Sequence, residues 1–282
     1  MTGASRVRPV RGPAPARMPF GRIGLPIGLL FALFLALPVV ALLTRAVFGG
    51  SLASTLGERA VLDALSLSLV TSGASLILTV VAGTPLAFVL ARRRFRGARL
   101  VETLVDLPIV LPPSVAGLAL LLTFGRRGTI GAPLQQLGVE LPFTTAAVII
   151  AQVFVAAPLY IRAARAGFAA VDRDLEDAAR VDGAGEWQAF RLVTVPLAAS
   201  ALAAGLVLTW ARALGEFGAT ILFAGNLQGR TQTLPLVVYS EFQASLDASV
   251  AAAAVLVVAA VGVLVAVRTL GWRGAGVRGQ ID

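Results

Sequence analysis

Long apolar runs alternate with short polar segments along this chain, and six runs reach the roughly 20 residues that a membrane-crossing helix needs. They cover about residues 25–47, 62–91, 100–124, 145–164, 197–223 and 246–267. The pattern predicts an all-α polytopic membrane protein with six transmembrane helices. Run three carries Pro108, Pro112 and Pro113 in DLPIVLPPSVAG, which should kink or locally unwind it. Bent helices often line pathways, although prolines are also common in membrane helices generally. The break between runs four and five, DAARVDGAGEWQAFRLVTVP at 177–196, is a long polar segment with specific internal spacing.

Composition agrees with the periodicity. Hydrophobic residues make up 57% of 282 positions, charged residues 14%, and the mean hydropathy is +0.85, outside the range of soluble domains. The chain has no cysteine and no histidine, which excludes thiol catalysis, Ser-His-Asp chemistry, imidazole metal sites and disulfides. No catalytic residue and no metal ligand set is expected, and nothing points to nucleic acid. All 24 basic residues are arginine, so the formal charge of +9 persists near neutral pH. Without lysine there is no P-loop, so any ATP must be bound by another subunit.

Arginine also orients the spans. Five precede the first run, five lie at 92–99 and five lie around the loop between runs four and five, against Arg45, Arg59, Arg126, Arg127 and Arg230 on the alternate side. The positive-inside rule then makes both termini, the 92–99 loop and the 177–196 loop cytoplasmic. Residues 1–22 read as a disordered cytoplasmic tail, 23–268 as the transmembrane domain and 269–282 as a second tail. A signal peptide competes for the N-terminus, but the apolar run is long for an h-region and no clear A-x-A site closes it.

Within the loop at 172–196, Asp172, Asp174, Glu176 and Asp177 crowd the start of a short helix and Arg180 lies toward its end, complementing the helix dipole. Gly183 falls where a left-handed C-cap belongs. A second short helix from about Glu186 would place Trp187, Phe190 and Val193 near one face, and Pro196 would end the unit. Such a loop either projects an apolar knob for a protein groove or lies on the membrane surface.

The segment resembles the EAA motif of binding-protein-dependent ABC importer permeases: EAA, three residues, G, nine residues, I, one residue, LP. Asp177, Ala178, Ala179, Gly183, Val193, Val195 and Pro196 fall on those positions, with Asp for Glu and valine for Ile and Leu. The resemblance implies the type I importer permease fold. It further implies that Ala184, Gly185, Glu186, Trp187 and Phe190 join the motif in coupling helices that fit a cleft of the ATPase. It also implies a homodimer in a prokaryotic cytoplasmic membrane, two ATPase subunits holding ATP and Mg, an external oxyanion-binding protein, and no cofactor on this chain.

Three further segments bear on cargo. LPIVLPPSVAGLALLLTFGRRGTIG at 107–131 is similar to molybdate permeases, WARALGEFGATILFAGN at 210–226 to molybdate and sulfate permeases alike, and RTQTLPLVVYSEFQ at 230–243, read as an outer loop, to the molybdate branch. They point to molybdate or tungstate, with sulfate or thiosulfate as the alternative. In run five, Arg212 and Glu216 share one helix face at membrane depth, where charge is costly. Together with Pro112, Pro113 and Thr220 they mark a candidate pathway or gate. The pair either attracts an anion or is a salt bridge locking helices, and Gly215 and Gly218 would permit close packing. Arg126 and Arg127, expected outside, either steer an anion or snorkel at the interface. An intramembrane enzyme lacks candidate groups. A membrane anchor recruiting a cytosolic partner is the reading of a different class.

Overall fold

The computed structural model describes residues 20–50 and 57–275. Nearly all of the tail expected over 1–22, and residues 276–282, lie outside them. Regular structure among the described residues is entirely helical, which is what an apolar chain adopts where no water can satisfy its peptide groups. Helix α1 (Phe20–Phe48) is followed by α2 (Arg59–Arg92), α3 (Ala98–Val110), α4 (Pro113–Phe124), a short α5 (Gly131–Gln136) and α6 (Thr145–Ala170). Then come α7 (Arg173–Val181), α8 (Glu186–Ala189), a π-helical turn (Phe190–Thr194) and α9 (Val195–Leu197). The chain ends in α10 (Ala199–Leu214), α11 (Gly218–Phe223), α12 (Leu234–Ala244) and α13 (Leu246–Ala275).

Four helices, α1, α2, α6 and α13, are each long and apolar enough to cross a membrane. The count reaches six when two bent pairs are taken as spans, Ala98–Val110 with Pro113–Phe124 at 118° and Glu186–Leu197 with Ala199–Leu214 at 74°. The third expected span is thus two half-length helices. Proline has no N–H to donate, so the ladder stops where Leu111 N bonds Leu107 O and restarts where Ala116 N bonds Pro112 O. Pro112 caps α4 with extended geometry and Pro113 occupies its first turn.

The fifth expected span is also interrupted. Helix α10 ends at Gly215, and α11 begins three residues on. The segment expected as an outer loop at 230–243 instead forms α12, with Leu234, Pro235, Leu236 and Val237 buried. Proline at its second position costs nothing, because that N–H has no partner in a first turn.

Helix α6 is the centre of the bundle, with half of its spanning window buried, whereas that of α1 is wholly exposed. Three apolar clusters surround it or extend from it. Ala116, Leu120, Ala147, Ala151, Val155, Ala219 and Phe223 join α4, α6 and α11. Ala87, Tyr160, Ala164, Phe168 and Ala198 join α2, α6 and α10, and Val61, Ala64, Leu234, Val237 and Ala252 join the start of α2 to α12 and α13. Between these clusters runs a buried line of hydroxyls on α2, Ser68, Thr71, Ser72, Ser75 and Thr79. Gln152 Nε2 donates to Thr71 Oγ1 at 3.2 Å, Trp210 Nε1 to Ser72 Oγ at 2.9 Å and Leu234 N to Ser68 Oγ at 2.7 Å. These bonds tie α2 to α6, α10 and α12, where dispersion alone would leave sliding freedom.

Small residues set the helix spacing. A Cβ on Gly117 would lie 2.8 Å from Ala219 O, and one on Gly218 would lie 2.6 Å from Pro113 Cβ, so the two broken spans meet at their breaks. Gly215 differs from the expectation. A Cβ there would meet only Ala211 O at 3.6 Å, within its own helix, so it serves as a helix end and not as a packing face.

Gly218→Ile should therefore lower stability by about 1–3 kcal/mol through overpacking, while Gly215→Ala should be nearly neutral. Thermal unfolding of the two detergent-purified variants checks this, and equal melting temperatures would refute the close approach.

Candidate functional site

The loop at 172–196 is built as two short helices on a fixed turn. Asp172 Oδ1 accepts the Asp174 N–H at 3.1 Å and caps α7. At the other end Gly183 N bonds Arg180 O at 3.0 Å and Ala184 N bonds Ala179 O at 2.9 Å, with Gly183 at φ +93°. This is a Schellman motif, and it explains the spacing from Ala179 to Gly183: the left-handed residue must sit four positions after the third-last helical residue. No heavy atom would lie within 4 Å of a Cβ on Gly183, so glycine is required by conformation and not by space. The Gly185 N–H then donates to Gln188 Oε1 at 2.9 Å, closing the start of α8.

Arg180 bridges the two helices. Its guanidinium pairs with Asp177 and forks onto both Glu186 oxygens at 2.8 and 3.1 Å. The hydrogen bond with Glu186 raises its pKa above the ordinary arginine value, so the guanidinium stays charged at every accessible pH. All three side chains are exposed to solvent, and the bridge orients more than it stabilises.

The anchor is Glu176, which the sequence presented only as one acid among four. Its Oε1 receives Arg92 Nη2 at 2.6 Å and Thr194 Oγ1 at 2.6 Å, while Arg92 Nη1 donates to Val171 O at 3.1 Å. The Arg92 and Glu176 side chains are only 10% and 7% exposed. One buried carboxylate thus fastens the end of α2, the start of α7 and the π turn. The sequence signal available was an acidic residue directly before the Asp177 position together with an arginine at the end of a spanning helix, and neither is specific.

Trp187 and Phe190 lie on one face, as the spacing suggested, with ring centroids 5.6 Å apart, but only Trp187 is exposed. Phe190 turns inward, with ring centroids 5.0 Å from Phe88 and 5.8 Å from Phe168, whereas Trp187 is 69% exposed. The π turn beginning at Phe190 adds a residue to the local period and rotates the following side chains. Val193 and Pro196 are half-buried, and Leu175, Val181 and Leu192 join Trp187 as exposed apolar groups.

The second charged pair lies at the α10–α11 break. Arg212 Nη1 is 2.6 Å from Glu216 Oε2, an ion pair without hydrogen-bond alignment, and Glu216 Oε1 accepts the Ala219 N–H at 2.7 Å. Glu216 is 1% exposed and Arg212 about one-third exposed. The carboxylate therefore satisfies the opened start of α11, a role that an unbroken helix would not need. Thr220 is fully buried and its Oγ1 has no partner. Pro113 packs beside Gly218, so Pro112, Pro113, Arg212, Glu216 and Thr220 belong to one region where two interrupted helices meet. Arg126 and Arg127 stand apart on an exposed turn, with Arg126 3.1 Å from Glu140. That turn is closed by glycine, since a Cβ on Gly131 would fall 1.8 Å from Gly125 O. Among the described residues no three carboxylates gather as a metal site would need.

Removing the Glu176 carboxylate leaves a nearly buried guanidinium unpaired, so Glu176→Ala should cost about 3–5 kcal/mol. Asp177→Ala, at an exposed pair, should cost less than about 1 kcal/mol. Denaturation midpoints in detergent distinguish them, and similar losses would contradict the anchoring role of Glu176.

Comparison with known proteins agrees with this architecture. A family model described as "Binding-protein-dependent transport system inner membrane component" matches residues 83–269. YvgM of Bacillus subtilis is 53% identical over 97 residues, 34% of this chain and 43% of that protein. "Molybdenum transport system permease protein ModB" of Haemophilus influenzae is 46% identical over 101 residues, 36% of this chain and 44% of its own length. The chain thus spans a little under half the length of the curated relatives it matches. The crystal structure of a bacterial ABC transporter involved in alginate import superposes with a TM-score of 0.71 at 19% identity, covering 89% of this chain and 94% of that one. An inward-facing methionine ABC transporter gives 0.54 at 20% identity, covering 76% and 92%. Both share the fold. On the match over residues 83–269, this chain belongs to the family of inner membrane components of binding-protein-dependent transport systems.

Proposed function

We propose that the chain is the membrane-spanning subunit of an ATP-driven importer of a tetrahedral oxyanion, molybdate or tungstate. It works as a homodimer with two cytoplasmic ATPases carrying ATP and Mg and with an external binding protein. The observation that carries the ATPase contact is the 172–196 loop. Leu175, Val181, Trp187 and Leu192 expose apolar surface on a unit whose base is fixed by Arg92–Glu176–Thr194 and the Phe88–Phe168–Phe190 cluster. Exposed aromatic anchors on a rigid support suit a protein groove. An element lying flat on lipid would not need that buried anchor.

Cytoplasmic placement of this loop rests on arginine bias and on how the helix ends gather. Arg92–Glu176, Arg165–Glu102 and Arg162–Asp106 join one set of ends, and Arg45–Asp247 lies with the opposite ends of α1 and α13. In the proposed mechanism, closure of the ATPase dimer moves Asp177–Phe190 as one body. The Glu176 anchor passes that displacement to α2, and the Phe190 cluster passes it to α6 and α10. A rigid-body change then opens or closes the region where α4 meets α11.

Cargo is supported separately, by the molybdenum transport permeases among the relatives and by the 107–131 and 230–243 segments. Arg212 offers positive charge near the pathway, and Glu216 limits its field so that an oxyanion passes without being trapped. Arg126 and Arg127 supply charge at the outer face.

Gly183→Val should abolish ATPase association and uptake while membrane insertion persists, because a β-branched residue at φ +93° is strained by about 1–3 kcal/mol. Trp187→Ala should weaken ATPase association by about 2 kcal/mol or more, roughly thirtyfold. Co-purification of the two subunits and binding measurements check both, and normal association in both would remove the docking role. Proteoliposomes holding the permease, the ATPase and the binding protein should accumulate labelled molybdate only with ATP, with tungstate competing and sulfate competing weakly. Strong sulfate competition would move the assignment to the sulfate branch, and ATPase association without uptake would leave an anchor.

A further inference from the structure

Behind the docking loop lies a cleft of about 790 Å³, bounded by the end of α2, the turn into α3, the first turns of α3, and Arg165 and Arg173 from α6 and α7. Arg92, Arg93, Arg94, Arg99, Arg165 and Arg173 line it, against one lining carboxylate, Glu102. Arg165 is paired with Glu102 at 2.8 Å and Arg92 with Glu176 at 2.6 Å. Arg173 donates to Arg92 O at 3.2 Å, and it, Arg93, Arg94 and Arg99 make no ion pair among the described residues. Four guanidiniums therefore share one concavity without a protein counter-charge, an arrangement that favours an anion among them.

The remaining walls say what kind of anion. Leu90, Ala91 and Phe95 line the same cleft, and Leu100, Leu104 and Leu107 extend from its rim along one exposed face of α3. Charge gathered at the end of a spanning helix, continuous with an apolar strip along the next helix, matches a molecule with an anionic head and hydrocarbon tails. A soluble oxyanion would use the arginines and leave the apolar strip idle.

We propose that this cleft binds the phosphate of an anionic phospholipid, with the acyl chains along Leu100, Leu104 and Leu107. Basic pockets between helices at the membrane boundary are suited to such headgroups. The site is independent of the cargo, and only its assignment to the cytoplasmic leaflet rests on the proposed orientation. Arg92 and Arg173 form its wall and also hold the 171–176 segment, so a bound headgroup lies directly against the anchor of the docking loop.

Native mass spectrometry of the full chain, released from detergent after titration with phosphatidylglycerol or with phosphatidylcholine of the same acyl chains, tests the assignment. Phosphatidylglycerol should bind about a hundredfold more tightly. The variant carrying Arg93→Gln, Arg94→Gln and Arg99→Gln should lose about fivefold per arginine, on the order of a hundredfold together, with phosphatidylcholine unaffected. Arg126→Gln with Arg127→Gln, at the other arginine cluster, should leave binding unchanged. If the triple variant does not insert, Arg94→Gln and Arg99→Gln singly should each show the fivefold loss. Undiminished binding in the variants, or equal affinity for the two lipids, would overturn the proposal. So would displacement of phosphatidylglycerol by excess inorganic phosphate, which would make the cleft a soluble-phosphate site. Loss of ATPase co-purification with lipid binding intact would make it a protein contact and equally exclude the lipid.

Discussion

One carboxylate oxygen, Glu176 Oε1, accepts both the Arg92 guanidinium and the Thr194 hydroxyl, and the geometry of the 172–196 loop depends on it. Burying two charges is costly, and the attraction repays the cost only when the hydrogen bonding is nearly complete. Here three elements drawn to one point supply most of it, with Arg92 Nε left without a partner. The end of α2 supplies Arg92, the first turn of α7 supplies Glu176, and the π turn supplies Thr194. The π turn is fixed on its other side by Phe190 against Phe88 and Phe168. A loop held at polar and aromatic ends in this way moves as a solid piece. In the proposed coupling, force applied at Trp187 is delivered through these contacts to α2, α6 and α10.

The membrane portion obeys a related rule about unsatisfied peptide groups. Two of the breaks in the spanning helices carry a proline or side-chain device that reduces the exposed donors. Pro112 and Pro113 have none to satisfy, and Glu216 takes the Ala219 N–H. Because α4 and α11 touch at Gly117, Pro113 and Gly218, the two breaks share one contact surface. Such a surface has few ladder hydrogen bonds at the helix ends, while Leu120, Phe124 and Phe223 pack across it.

The proposed docking, pathway and lipid roles thus fall on different residues. The loop surface is apolar on a fixed base, the α4–α11 region is interrupted and weakly charged, and the arginine cleft behind the loop keeps four guanidiniums outside any ion pair among the described residues. Substitution in one of these regions therefore reports on that property with limited interference from the others, provided that Arg92 and Arg173, shared by the loop anchor and the cleft, are left intact.

The periodicity of the chain determined the helical class, the four uninterrupted spans and the position of the polar loop, because hydrocarbon allows an apolar run of sufficient length only one backbone solution. Local chemistry also determined the Gly183 turn, since a Schellman end is specified within six residues. What periodicity could not decide is where a run of apolar residues stops being one helix. In Leu100–Phe124 the prolines announced an interruption, whereas Leu197–Phe223 read as continuous, yet the Glu216 cap marks where it divides. Nor could it assign Glu176 or turn Phe190 inward. Glu176 lies 84 residues from Arg92, and Phe190 meets its partners Phe88 and Phe168 only after the bundle forms. Spacing along a chain records which residues share a local face. Which distant face they meet, and so which charge is paired and which arginines are left for a ligand, is settled only when the helices pack.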